Sequence, residues 1–531
     1  MDKRLLAFVL GIGISFPALT GAREINLVQN PGFENVDPST QNPQDYELKG
    51  AAFRGYLGGW DDFATNGIIF PGQAASGGAV SQFVRGLDQS MGRWITFRFR
   101  GLAEDGFSVP DDSLKMKIEF YSKNGTDYLD CASRPIYREI ERDRRDLTVN
   151  GDYQRGGAAV WRSYELEELL PFPEVDAVRI SVAYDQGVAT QPQHAAFLID
   201  DFSLVQRARS LTGRVDPADR IPAAPTSAPP DTARLTSLGG RWYYDPLPGE
   251  TADASHLTVT EENADRLYYQ SDRLINPFLN NMTAWLRAGY KDGQGNIVTQ
   301  DRLVPDNVVL NFQGDGFLTV KSKNLPNHPT ARFPGFNPSY IQEMSRTYRL
   351  PLEPVLNPNA VAMDDSDRNR ALPMGPIGIA VNGVVFFNPF DANMRDAASI
   401  MDYCCGHPNP DNQYHYHKYP ICVNTPFVDK GDGPSQVIGF AFDGLPIYGP
   451  YQDAGLMAKD SLANPLNAFN ACYDPVRGWH YHVTPGKFPY IIGGYFAKTE
   501  PSNFEPGPRH PPGGNFPSPG GWFAPPPGTP R

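Results

Sequence analysis

The stretch IGIAVNGVVFFNP, Ile377 to Pro389, decides the fold class: two runs of β-branched and aromatic residues flank Asn382 and Gly383. Such side chains fit a pleated, half-buried surface, and an Asn-Gly pair between two such runs is a strong short-range hairpin signal. The spacing predicts a type I′ turn, in which both central residues take positive φ. Outward from this hairpin, the region from about Val304 to Thr499 reads as β, in short apolar runs separated by turn residues. The composition agrees, since 51 Gly, 51 Pro and abundant aromatics favour turn-rich β architecture over helical bundles.

A chain of 531 residues has room for two or three domains, each with its own core. The net charge of -13 is spread over interspersed acidic and basic residues. That leaves no basic stripe for nucleic acid and no cationic helix for a membrane surface. The first 22 residues, with Lys3 and Arg4, an apolar run from Leu5 to Phe16 and then Thr20, Gly21 and Ala22, have the order of a secretory signal peptide. No later stretch is long and apolar enough for a transmembrane anchor. The expected location is therefore secreted or periplasmic, where disulfides persist.

Residues 23–206 form a first unit. WITFRFR (Trp94 to Arg100), LKMKIEFY (Leu114 to Tyr121) and VRISVAY (Val178 to Tyr184) alternate apolar and polar residues as half-buried strands do. A series of this kind predicts a two-sheet sandwich or jelly roll. NLVQNPGFE (Asn26 to Glu34) and FLIDDFSLV (Phe197 to Val205) resemble the first and last strands of galactose-binding-like jelly rolls, a family holding many secreted carbohydrate-binding modules. That resemblance implies attachment to a glycan or envelope surface, and a structural calcium held by Glu34 and Asp200, whose carboxylates suit that ion. The alternative is that both carboxylates sit at strand ends in water. Trp60 could stack on a sugar or fill the sandwich core.

Residues 207–234 are a Pro/Ala-rich linker and 235–303 a connecting segment. Within the latter, Phe278, Met282 and Trp285 stand at helical spacing, which predicts a helix ending near Gly289. Residues 304–499 form the second major unit, expected to be β-rich with short helices, and 500–531 a Pro/Gly-rich tail without a packed core.

Five of the nine histidines stand in three short motifs of the second unit, GH, YHYH and WHYH: His407, His415, His417, His480 and His482. Residues two apart in a strand project from one face, so His415 pairs with His417 and His480 with His482. Two His-x-His edges side by side would offer four imidazoles to one transition metal, with copper or zinc favoured.

YHYH (Tyr414 to His417), preceded by Asp402, Cys404 and His407 and followed by FDGLPIYGP (Phe442 to Pro450) and WHYHVTPGKFPY (Trp479 to Tyr490), resembles the YHYH-domain proteins of exported bacterial proteomes. NLPNHPTARFP (Asn324 to Pro334) is similar to an upstream motif of that family and supplies His328 as a further candidate ligand. The resemblance carries no activity with it. Against the family pattern, Gly494 stands where a cysteine is usual, and Cys472 lacks the Asn-Gly-His that usually follows it. Cys404 with Cys422 would close a loop around the YHYH strand, worth roughly 3 kcal/mol in the chain-entropy model. Cys405 would supply a replacement partner for Cys472.

These features predict an exported metal-binding protein attached to a glycan or envelope surface. The alternatives are a metal-dependent extracellular hydrolase or copper oxidoreductase, with Asp443 or His407 as base, and a purely structural adhesion protein. No Gly-x-Ser-x-Gly elbow, P-loop or dinucleotide fingerprint occurs.

Overall fold

The computed structural model describes residues 25–504, apart from 58–65, 72–76, 89–92, 104–106, 108–113, 137–160, 185–195, 209, 211–229, 252, 254–256, 279–281, 332, 335–336, 364–370, 392–395, 398–400, 403, 424 and 426–428. The signal peptide, Trp60, most of the linker and nearly all of the tail lie outside the described residues.

The three alternating runs form strands Trp94–Ala103, Leu114–Ser122 and Ala177–Tyr184. They belong to two five-stranded antiparallel sheets. One runs Glu47–Gly50, Gly78–Arg85, Ala177–Tyr184, Leu114–Ser122, Asp127–Pro135; the other runs Phe53–Tyr56, Asn66–Pro71, Ala196–Arg207, Trp94–Ala103, Arg162–Leu169. Phe70, Phe97, Phe99 and Phe197 from the second sheet share one buried core with Val80, Ile118, Ile180 and Val182 from the first. Each such side chain contributes about 1.5–3 kcal/mol on burial. The first and last segments meet, as the jelly-roll resemblance implies: Leu27 N–H donates to Leu204 O at 2.9 Å and Asn26 Nδ2 to Phe202 O at 3.1 Å.

The rest of the described chain is also β and has one continuous core running from Leu238 to Ala497. Residues 235–303 are part of this core: Trp242 packs on Phe278 and Phe440, with ring centroids 6.1 and 5.3 Å away. Among the described residues the expected helix is not formed, and Ala284–Leu286 is a strand paired with Arg302–Val304. Met282, Ala284 and Leu286 are buried while Trp285 is exposed, so the local period is 2 and not 3.6. Among the described residues the helical content of this unit is three-residue 3-10 turns.

At the centre lies an eight-stranded sheet. Its strands in chain order are β1 (Pro376–Ala380), β2 (Val385–Phe387), β3 (Gly406–Pro408), β4 (Tyr414–Tyr416), β5 (Val437–Ala441), β6 (Pro446–Tyr448), β7 (Ala471–Asp474) and β8 (Gly478–His482). They lie in the order β3-β4-β2-β1-β5-β6-β8-β7. This order is a duplication read from the middle outwards. β2 and β4 run parallel, as do β6 and β8, and the other neighbours are antiparallel. At the centre, Gly378 pairs with Ala441, Ile379 with Phe440 and Ala380 with Gly439. IGIAVNGVVFFNP therefore matches IGFAFDGLPIYGP (Ile438 to Pro450), with Ile, Gly, Ala, Gly and Pro recurring in place.

The β1–β2 turn differs from the type I′ expectation. Ala380 N–H donates to Val384 O at 2.8 Å and Gly383 N–H to Ala380 O at 2.9 Å, with Gly383 at φ 87° and Asn382 not in the left-handed region. This is a three-residue loop with one left-handed glycine. Asn382 serves the core: its Nδ2 donates to Asn327 Oδ1 at 3.1 Å and Tyr416 Oη at 2.9 Å. The β5–β6 loop repeats the arrangement, with Gly444 at φ 84° and Asp443 in place of Asn382.

The two units are joined through residues next to the YHYH strand. Lys418 Nζ pairs with Asp130 of the sandwich, both buried, and donates to Cys131 O at 3.1 Å. Tyr419 stacks on Phe172, and Tyr451 Oη donates to Glu174 at 2.7 Å.

Candidate metal centre

β3 and β4 place His407 directly opposite His415, and His417 follows β4 on the face that His415 occupies. Period-2 alternation then turns Tyr414 and Tyr416 to the other face, where both are fully buried. The three imidazoles converge. His417 Nε2 lies 2.9 Å from His415 Nε2 and 3.1 Å from His407 Nε2. All three are buried, at 7%, 2% and 2% exposure for His407, His415 and His417. Phe387 stacks on His415 at 3.8 Å between centroids and closes one side.

The hydrogen-bond partners fix two tautomers. His415 Nδ1 faces Gln413 O at 3.0 Å and His417 Nδ1 faces Asn388 O at 2.5 Å. A carbonyl only accepts, so both Nδ1 atoms carry the proton in the neutral rings, and both Nε2 atoms present bare lone pairs. Burial pushes the His417 pKa down to about 4, and burial together with His407 and His417 holds His415 well below its usual value. Two lone pairs thus face each other at 2.9 Å with no hydrogen between them. The Nδ1–carbonyl bonds are the outer contacts that orient metal-bound imidazoles.

The other two histidines of the expected centre lie elsewhere. His480 and His482 are on β8, at the opposite end of the sheet, where they group with Cys472. Five strand spacings separate β4 from β8, roughly 24 Å along the sheet, so the four imidazoles cannot share one ion. His328 is hydrogen-bonded: its Nε2 meets Tyr416 Oη at 2.6 Å and its Nδ1 meets Pro329 O at 2.8 Å. Its neighbours Cys404 and Cys422 form a disulfide and offer no thiolate.

That disulfide is the pairing the sequence suggested. The expected Cys405–Cys472 pairing is not made, because Cys405 precedes β3 and Cys472 is on β7, at opposite edges of the sheet, and both are free thiols. Asp443 is fully buried and accepts from Tyr481 Oη at 2.5 Å, Ala497 N–H at 3.0 Å and Leu445 N–H at 3.1 Å. Those contacts tie a turn to β8 and leave no face for a substrate. In the sandwich, Glu34 accepts from Asn66 N–H and Nδ2 at 2.8 Å each, and Asp200 is buried and accepts from Asp201 N–H at 2.8 Å. Both carboxylates border Gly32.

Sequence reading missed Cys472 as a candidate ligand. The signal was present: His407-x7-His415-x-His417 and Cys472-x7-His480-x-His482 share one spacing.

This mainly β chain, with a sandwich joined to a duplicated sheet, carries a domain of a known family. Residues 347–474 match the model of the family described as YHYH protein, which places a YHYH domain in the C-terminal unit. The match takes in His407, His415 and His417 and stops before His480. No curated protein matches the chain. Among solved structures, the enzymatically active domain of tailspike protein 4 from bacteriophage CBA120 is 16% identical over 34% of this chain and 21% of its own, with a TM-score of 0.22. TmCBM61, solved with β-1,4-galactotriose, is 16% identical over 34% of this chain and 99% of its own, at 0.21. The CBM22-1 xylan-binding domain of Paenibacillus barcinonensis Xyn10C is 12% identical over 34% and 94%, at 0.20. This chain spans about a fifth of the tailspike domain, and overlaps at such TM-scores carry no argument about ligands.

Proposed function

We propose that the chain is an exported metal-binding protein whose YHYH unit holds one transition-metal ion, copper or zinc, on the Nε2 atoms of His407, His415 and His417. The observation that supports it is the pair of buried lone pairs 2.9 Å apart, each made bare by an Nδ1–carbonyl bond. A cation removes that repulsion, and three nitrogens at ~2.0–2.1 Å from a tetrahedral ion stand about 3.3 Å apart, a few tenths of an ångström wider than here. Imidazoles exposed by 7% or less fit retention of an ion better than turnover at it.

The test is elemental analysis of untagged protein beside the His415→Ala/His417→Ala variant, with circular dichroism as the fold control. The parent is expected to hold one equivalent that the folded variant lacks. Equal metal content in both overturns the reading. Export is supported by the N-terminal residue order and by the Cys404–Cys422 disulfide, which suits an oxidising compartment. A mature N-terminus other than one near Arg23 would count against it. Attachment of the sandwich to a glycan or envelope surface rests on its first and last strands, and absence of retention on insoluble polysaccharides and cell envelopes would remove it.

A further inference from the structure

At the far edge of the sheet, β7 and β8 rebuild the three-histidine centre with one ligand changed. Cys472 pairs with His480 in the register in which His407 pairs with His415. His480 Nδ1 donates to Gly478 O at 2.8 Å and His482 Nδ1 to Gly449 O at 2.6 Å, as His415 and His417 do to Gln413 and Asn388. Even the entering backbone repeats: His417 N–H donates to Cys405 O and His482 N–H to Asn470 O, and Cys405 and Asn470 both have positive φ, 65° and 63°. Both Nε2 atoms of this half are therefore bare. His480 Nε2 lies 3.4 Å from Cys472 Sγ, while His482 Nε2 is fully buried and has no hydrogen-bond partner. The three ligand atoms all lie within 4.8 Å of one another.

We infer that Cys472, His480 and His482 form a second, separate metal site and that it takes one monovalent copper ion. Thiolate with two imidazoles is a soft donor set, which selects copper(I) and zinc over harder ions. Charge chooses between these two. Asp474 Oδ2 lies 3.8 Å from His480 Nε2 and pairs with Arg477 Nε at 2.6 Å, so those two charges cancel; with Arg241 beside the pocket at the surface, the Cys472 thiolate leaves it at most one negative charge. A monovalent ion neutralises it, whereas a divalent ion leaves a net charge out of water, which is costly. On binding, the Cys472 S–H proton leaves to solvent, the S–Cu bond forms, and no electron is transferred. The choice of a metal as ligand rests on the reading of the three-histidine centre; the geometry is independent of it.

The experiment loads full-length protein with copper(I) under anaerobic, reducing conditions and counts copper after a competing chelator, in the wild type, His415→Ala/His417→Ala and Cys472→Ser. Copper-edge X-ray absorption then reads the ligand atoms. The expected results are two ions in the wild type and one in each variant, with a sulfur neighbour at ~2.3 Å in the histidine double variant and none in Cys472→Ser. A single ion that Cys472→Ser retains, or a wild-type copper shell without sulfur, overturns this inference and leaves the three-histidine centre standing. A single sulfur-bound ion that the histidine double variant retains supports this site and removes the other. The wild-type spectrum does not depend on any variant folding.

Discussion

Asp443 shows how one atom separates the two halves of the sheet. Asn382 holds the same place in the first half, with the amide nitrogen reaching Tyr416 where Asp443 accepts from Tyr481. Burial, only partly offset by Tyr481 and backbone N–H donors, pushes the Asp443 carboxyl up to about 6 from the usual 3.8. A raised carboxyl binds its proton more tightly folded than unfolded. Its contribution is complete below pH 3.8 and is lost as pH rises through 6. A rise of that size corresponds to about 3 kcal/mol. The stability of the metal-free wild type relative to Asp443→Asn is therefore expected to fall by about that amount between pH 3 and pH 7, measured by urea unfolding at each pH. Parallel pH curves for the two proteins would contradict it. Asp402, also raised to about 6 by burial, acts equally in both and cancels.

Among the elements, the two hairpin loops each carry a tight local constraint. Gly383 sits at φ 87°, and a Cβ there would come within 2.6 Å of Val308 Cγ2 and 2.8 Å of Ser322 Oγ. A non-glycine residue at such φ costs about 1–3 kcal/mol before any clash. Gly383→Ala is expected to lose at least that much in denaturant unfolding, and a loss under about 0.5 kcal/mol would show that the loop relaxes. Much at this scale was legible in the sequence. Strand positions followed from alternation, because a half-buried sheet imposes period 2 at every residue. Asn382–Gly383 marked a turn, but its type was not legible, because the same dipeptide serves a loop with one left-handed residue or two. The mistaken helix near Met282 has a similar origin: Phe278, Met282 and Trp285 fit a 3.6 period by position, and only the exposure of Trp285 shows the period to be 2. The His-x-His pairs marked candidate ligands that the fold does gather into clusters. Which pairs share an ion depends on sheet order, which is set by pairings distant in the chain that local pattern does not encode.

Across the whole molecule, the sandwich and the YHYH unit meet at a buried ion pair adjoining the three-histidine cluster. Burial alone would lower the Lys418 pKa, but the Asp130 carboxylate together with the neighbouring Cys131 and Cys405 outweighs it and pushes it up. Lys418 is 1% exposed and Asp130 4%. Asp130→Asn leaves a buried ammonium without its counter-charge and is expected to cost about 3–5 kcal/mol. Asp130→Leu/Lys418→Met, which removes both charges, is expected to recover most of that in the same unfolding measurement. Equal losses in the two variants would assign the effect to packing. Lys418 follows His417, so Asp130→Asn should also loosen the ion proposed to sit there.

The central pairing of β1 with β5 has a consequence for how the two sites can change. Cut between those strands, each half keeps its own hairpins and its own ligand set, and the cut edge is self-complementary: Gly378, Ile379 and Ala380 face Ala441, Phe440 and Gly439. Such an arrangement is a two-fold dimer written into one chain, which frees it from the identity that symmetry forces on a homodimer. One copy can exchange an imidazole for a thiolate, or an amide for a carboxylate, while the other stands unaltered. If both proposed sites are filled, the fused chain holds two ions of different charge where a symmetric pair would hold the same ion twice.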